Sequence, residues 1–156
     1  DSSSSRGLGD VYKRQGQYDP NKEKFPIQVL SSASHYFIGD SFQSVPRLQA
    51  MQSRPTVEIS LGDAKARGIE DGDLVRLYND NGETYCYAVL IEGLLEGVCA
   101  TQKQFKGSNT PGGLNVNNLN SEMLTDFGKS PTFYSVLVEI EKASEEMTKK
   151  AIKQGV

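Results

Sequence analysis

Side chains able to do chemistry concentrate in one short segment. The stretch "LSSASHYFIGDSF", residues 30–42, holds the single histidine of the chain, His35, among Ser31, Ser32, Ser34 and Ser41, directly after an apolar run. A histidine among hydroxyls fits a catalytic loop, a ligand-holding loop, or a turn whose side chains satisfy local backbone. A second polar run, "NVNNLN" at 115–120, brings Asn117 and Asn118, each a donor and an acceptor at once. Cys86 and Cys99 stand singly in the apolar runs "TYCYAVLI" and "GVCATQ". Without CxxC spacing and with one histidine in the chain, they read as buried small hydrophobes, not as metal ligands. Asp71 and Asp73 flank Gly72 in "EDGD", an acidic turn before a strand, which is a structural arrangement and gives no acid–base role.

The elements that must position these residues are short. "FPIQVLS" reads as a first strand with Pro26 at its start, where a missing donor is tolerated. "RPTVEIS" reads as a second, with Val57 and Ile59 on one face and Thr56, Glu58 and Ser60 on the other. In "SLGDAKARGIEDGD", Ser60 is placed to N-cap a two-turn helix, Asp63 sits in its first turn, and Gly68 supplies a left-handed C-cap. "LVRLYN" and "ETYCYAVLI" form a hairpin, for which Asn81-Gly82 is the turn signal. "EGLLEGVCATQ" adds a turn and a strand, and "FYSVLVEIEK" alternates Tyr134, Val136, Val138 and Ile140 against Ser135, Leu137, Glu139 and Glu141. Six short strands, a short helix and Gly-rich turns predict a mainly β fold, a closed or nearly closed barrel in place of a doubly wound sheet.

The chain has 156 residues and a net charge of −3, with a pI near 5.2. No stretch clusters Lys or Arg with aromatics, so nucleic acid is not an expected partner. No run approaches about 18 apolar residues, so no membrane contact is expected of this segment. Residues 1–24 lack apolar periodicity and are expected to be disordered. Within them, "SSSSRGLGDVYKRQ" resembles translated sequencing-adaptor debris, which sets residues 1–15 aside as an artefact and makes the remainder a C-terminal piece of a longer protein. Residues 25–142 are enough for one domain, and 143–156 read as a short helical or frayed tail with Glu145 and Glu146 four residues before Lys149 and Lys150.

One stretch is recognisable. "PTVEISLGDAKARGIEDGDLVRLYNDNGE" resembles the C-terminal molybdopterin-dinucleotide-binding domain of the dimethyl sulfoxide reductase family, carried by the Asp-Ala-x-x-x-Gly-Ile-x-Asp-Gly-Asp core. Upstream, "FPIQVLSSASHYFIGDSFQSVPRL" resembles that family's first strand and cofactor loop. Downstream, "GGLNVNNLNSEMLTDFGKSPTFYSVLVEIEK" resembles its closing segment, so the likeness covers residues 25–142.

The resemblance implies a double-psi β-barrel with short helices. It also implies a cofactor, molybdopterin guanine dinucleotide carrying Mo or W, gripped on behalf of a large oxidoreductase catalytic subunit, with no catalytic residue and no metal ligand in this chain. It carries over as cofactor-binding Ser32, Ala33, Ser34 and His35 after the first strand, Ser41 and Phe42 in the following turn, Asn117 and Asn118 in the closing segment, and the aromatic pair Phe133 and Tyr134. Two departures stand out: Ala33 replaces a frequent arginine, and Asp40 precedes Ser41 where His or Asn is common. The implied partners are the pterin dinucleotide, the upstream domains of the same polypeptide, with room there for an iron–sulfur cluster, and an electron-transfer subunit. The compartment is left open between the cytoplasm and periplasm of a prokaryote. Two alternatives remain at this point: a non-enzymatic double-psi barrel binding module, and a self-processing pyruvoyl decarboxylase, for which Gly107-Ser108 would be the cleavage dipeptide.

Overall fold

The computed structural model describes residues 20–154 except 40, 104, 122–123, 125–127, 131 and 133–134. Six strands close into a barrel: β1 (Ile27–Ser32), β2 (Thr56–Ser60), β3 (Leu74–Tyr78), β4 (Glu83–Ile91), β5 (Val98–Gln102) and β6 (Val136–Lys142), in the spatial order β1-β5-β2-β4-β3-β6. β1 pairs in parallel with β5 and β2 with β4, while the other four pairings are antiparallel. This is the double-psi β-barrel that the sequence resemblance implied.

Alternation in the strands explains the closure. Ile27, Val29, Val57, Ile59, Val75, Leu77, Val138 and Ile140 are each at most 1% exposed and fill one continuous interior. At about 1.5–3 kcal/mol for each fully buried aliphatic side chain, that interior is the main force holding the barrel shut. Cys86 and Cys99 lie in it as free thiols. Burial pushes the Cys86 thiol up to about 12, and Cys99 is raised by the same cause.

Among the described residues, three α-helices accompany the barrel: α1 (Pro46–Met51), α2 (Leu61–Arg67) and α3 (Glu145–Gln154). α2 is built as its sequence dictates: the Ser60 hydroxyl accepts from the Asp63 N–H at 3.1 Å, and Gly68 ends the helix at φ 64°, ψ 32°. Asp63 ties the helix to its surroundings, because its Oδ2 also accepts from Gly97 N at 2.8 Å. Arg67 reaches Glu139 on β6 at 2.6 Å. α3 packs against the 3-10 turn Pro111–Gly113 and buries Ala151.

The "EDGD" turn is structural in every contact. Asp71 Oδ1 accepts from Leu90 N at 2.9 Å, and Asp73 Oδ2 accepts from Glu70 N at 2.8 Å while pairing with Lys142 at 2.8 Å. That contact from Lys142 holds the Asp73 carboxyl below the usual carboxylate range.

The β3–β4 hairpin forms, but not for the reason its Asn-Gly dipeptide suggests. Asn79 N donates to Gly82 O at 3.0 Å, which leaves Asp80 and Asn81 as the loop, and none of these residues has positive φ. The turn is held by Asn79, whose Oδ1 accepts from Asn81 N at 2.9 Å and Gly82 N at 3.2 Å. Gly82 is there for room: a Cβ would lie 2.6 Å from the Asn118 carbonyl oxygen. Gly107 is explained in the same way, since its Cβ would lie 2.7 Å from Gly113 O.

Candidate cofactor site

Strand polarity decides which loops share a surface. β1, β3 and β5 run in one direction and β2, β4 and β6 in the other. Segments 33–55, 79–82 and 103–135, which connect them, therefore leave and re-enter the barrel at one end, and α2 with the 92–97 turn lies at the other. The hydroxyl-rich segment and the asparagine-rich segment thus leave the barrel at the same end.

The two long segments are fastened to each other. Phe37 and Phe105 meet edge to face with centroids 5.9 Å apart. Gln43, 1% exposed, accepts from Lys106 N at 2.8 Å and donates to Gly39 O at 3.3 Å. At the base, Lys103 N donates to Ser32 O at 2.8 Å, continuing the β1–β5 pairing. Phe42, just before Gln43, takes φ 68° with its side chain exposed, a conformation uncommon for a bulky residue that occurs where surroundings impose it.

A cleft of about 390 Å³ opens where β1 exits and β2 begins. Its lining includes Ser32, Ala33 and His35 after β1, Gln52, Ser53 and Arg54 before β2, and Thr56, Glu58 and Gln102 on β2 and β5. Thr56 and Gln102 satisfy each other, because Gln102 Oε1 accepts from Thr56 N at 3.2 Å and its Nε2 donates to Thr56 Oγ1 at 2.9 Å. Gln102 and Arg54 carry no signal of this role in the sequence, since only the parallel β1–β5 pairing brings Gln102 beside Ser32.

The residues anticipated from the sequence divide. Ser32, Ala33 and His35 line the cleft, with Ser32 and His35 exposed. Ser34 is spent on its own loop: its hydroxyl accepts from Tyr36 N at 3.0 Å and Phe37 N at 3.2 Å and donates to Gln52 Oε1. One donor and two acceptor sites are then all used, so Ser34 shapes the loop and has nothing left for a ligand. Ser41 and Phe42 are exposed at the same end but do not line the cleft.

Asn117 and Asn118 are exposed on the 3-10 turn Val116–Leu119, also outside the cleft lining. That turn is seated on the hairpin by Asn79 and Asn81, both donating to Leu119 O, at 2.9 and 3.3 Å, while Asn115 caps it by accepting from Asn117 N at 2.9 Å. Phe133 and Tyr134 lie outside the described residues.

Residues 27–137 match the family described as the Molydopterin dinucleotide binding domain. The chain belongs to this family. Among curated relatives, it is 32% identical over 117 residues to "Probable oxidoreductase YoaE" of Bacillus subtilis (strain 168), covering 75% of this chain and 17% of that protein. It is 49% identical over 85 residues to "Trimethylamine-N-oxide reductase" of Vibrio parahaemolyticus serotype O3:K6, covering 51% of this chain and 10% of that protein. Among solved structures, "Acetylene Hydratase from Pelobacter acetylenicus" superposes with a TM-score of 0.72 at 12% identity, over 83% of this chain and 20% of that one. The domain therefore spans less than a fifth of the length of these curated relatives, and a molybdopterin cofactor is its family's ligand.

The donor set fits such a ligand. Short hydroxyls, an imidazole, amides and one guanidinium can meet a pterin, a sugar, a phosphate and a base without any proton transfer. Among the described residues, no group of three or more His, Cys, Asp or Glu is placed to hold a metal ion, and no helix is long and apolar enough to cross a membrane.

Proposed function

We propose that this domain is the C-terminal lid of a molybdenum or tungsten oxidoreductase catalytic subunit and grips molybdopterin guanine dinucleotide. The observation that supports this most is the convergence of segments 33–55 and 103–135 at one barrel end, fastened by Gln43 and Phe37, in a chain that matches the family over residues 27–137. The cofactor supplies the redox chemistry when bound, while the protein supplies grip and orientation. Ser32, whose hydroxyl donates to Thr101 O at 3.5 Å and keeps its acceptor sites, and His35 offer polar groups from one segment and Asn117 and Asn118 from the other, Ala33 lines the cleft between Ser32 and His35, and Ser34 positions the loop. Ser41 and Phe42 extend the same surface. The metal-ligating residue and any iron–sulfur cluster belong to parts of the polypeptide outside this chain, as does the contact with an electron-transfer subunit.

The test is Asn117→Asp in the full-length protein. It exchanges the amide donor for a repelling charge beside a polyanionic ligand, so cofactor content per mole of protein should fall while the unfolding midpoint stays within error. A matching loss of stability, or unchanged cofactor content, would count against the reading.

A further inference from the structure

The cleft between the β1 exit and the start of β2 carries two unmatched charges. Arg54 lines it with its guanidinium 4.2 Å from the Tyr87 ring centroid, a stacking contact that orients the planar fork without using its edge donors. No carboxylate among the described residues pairs with it. Glu58 lines the same cleft from the outward face of β2, whose alternate residues Val57 and Ile59 are buried, and no described cation pairs with that carboxylate either. Arg54 stands at a bend two residues before β2, and within β2 Thr56 and Glu58 share the face opposite Val57 and Ile59. The mutually hydrogen-bonded Thr56–Gln102 pair lines the cleft beside the two charged residues.

We infer that Arg54 and Glu58 form a two-ended clamp across this cleft, Arg54 for a phosphate of the dinucleotide and Glu58 for the adjacent N–H donors of a 2-amino-4-oxopyrimidine ring. The inference rests on the functional reading above and adds to it two residues and an orientation. A guanidinium fork matches phosphate oxygens, and a carboxylate accepts two parallel N–H bonds. The orientation follows from repulsion: a phosphate at the Glu58 end would face a like charge, so it takes the Arg54 end. Guanine and pterin present the same ring edge, and either can fill the Glu58 end. His35 and Ser32, which line the same cleft, then meet the sugar and phosphate between the two ends.

Cofactor-free full-length protein, titrated calorimetrically with GDP, IDP, pyrophosphate and 6-hydroxymethylpterin, tests the clamp. Arg54→Gln should weaken GDP and pyrophosphate at least tenfold, with Arg54→Lys recovering part of the loss. Glu58→Gln should leave pyrophosphate unchanged. If guanine fills that end, the same variant weakens GDP and removes the preference for GDP over IDP, which lacks the 2-amino group. If pterin fills it, the variant weakens the pterin and spares GDP. Absence of probe binding by the unmodified protein, or unchanged affinities in both variants, overturns the clamp. Should Asn117→Asp still lower cofactor content in that case, the functional reading survives without the clamp. If no variant alters content and the unmodified protein is purified without cofactor from a host that makes it, the functional reading itself fails.

Discussion

Gly82→Ala should damage the cofactor end of the barrel although the substitution adds one methyl group to a hairpin. The residue does not have positive φ, so alanine meets no conformational strain there. Its Cβ would instead lie 2.6 Å from the Asn118 carbonyl oxygen, with Asn118 C and Cβ both at 3.4 Å. Reaching ordinary contact requires the Val116–Leu119 turn to retreat from the hairpin by roughly 0.8 Å. The bond from Asn81 Nδ2 to Leu119 O, already 3.3 Å, is then broken, and that from Asn79 Nδ2, at 2.9 Å, is stretched. At about 1 kcal/mol for each such bond, plus residual overlap, the loss should be about 1–3 kcal/mol. Gly68→Ala is the control: nothing lies within 4 Å of its Cβ, but φ is 64°, so the cost is conformational, about 1–2 kcal/mol, and sits at the opposite end of the barrel. Urea unfolding gives both stability changes, and cofactor content of the full-length variants gives the functional one. The two variants should be comparable in stability, with cofactor content reduced only by Gly82→Ala. A Gly82→Ala protein within about 0.3 kcal/mol of the parent and with full cofactor would refute the reasoning.

Asp63→Ala should cost about 1–3 kcal/mol, measured by urea unfolding, because it leaves the Gly97 N–H without its acceptor and removes the partner of Ser60 and Arg67. Asp73 has a lowered folded-state pKa through its hydrogen bond from Lys142, so its contribution is complete above the ordinary aspartate value of about 3.9 and is lost as pH falls through the lower folded value. Asp73→Asn should therefore flatten the acid limb of stability against pH, and an unchanged limb would contradict the assignment. Both cysteines should resist iodoacetamide in the native protein at neutral pH and react on unfolding, since burial raises Cys86 to about 12 and Cys99 as well.

Local signals in the sequence were enough for the strands and for α2. The alternation of Val136, Val138 and Ile140 marks β6, and Ser60 with Gly68 brackets the helix, because capping and alternation act within a few residues. The turn at Asn81-Gly82 misleads because glycine there answers a contact from 36 residues away, with Asn118, which no local pattern encodes. α1 went unread for a related reason: it is six residues long, buries none of them and leaves no periodic stripe. Of the candidate site, the hydroxyls were visible as residue types, but whether a hydroxyl is free depends on its loop. Ser34 is consumed by Tyr36, Phe37 and Gln52, whereas Ser32 donates only to Thr101 O, at 3.5 Å, and keeps its acceptor sites. Arg54 and Gln102 join the cleft only through the barrel's pairing order, a long-range property.

The most direct measurement is hydrogen–deuterium exchange on the full-length protein prepared with and without its cofactor. Protection on cofactor binding should concentrate in segments 31–42, 52–56 and 115–120 and be absent from α2 and the 92–97 turn. Protection confined to α2 and the 92–97 turn, with 31–42 and 115–120 unchanged, would contradict a cofactor surface at the end of the barrel where β1 exits.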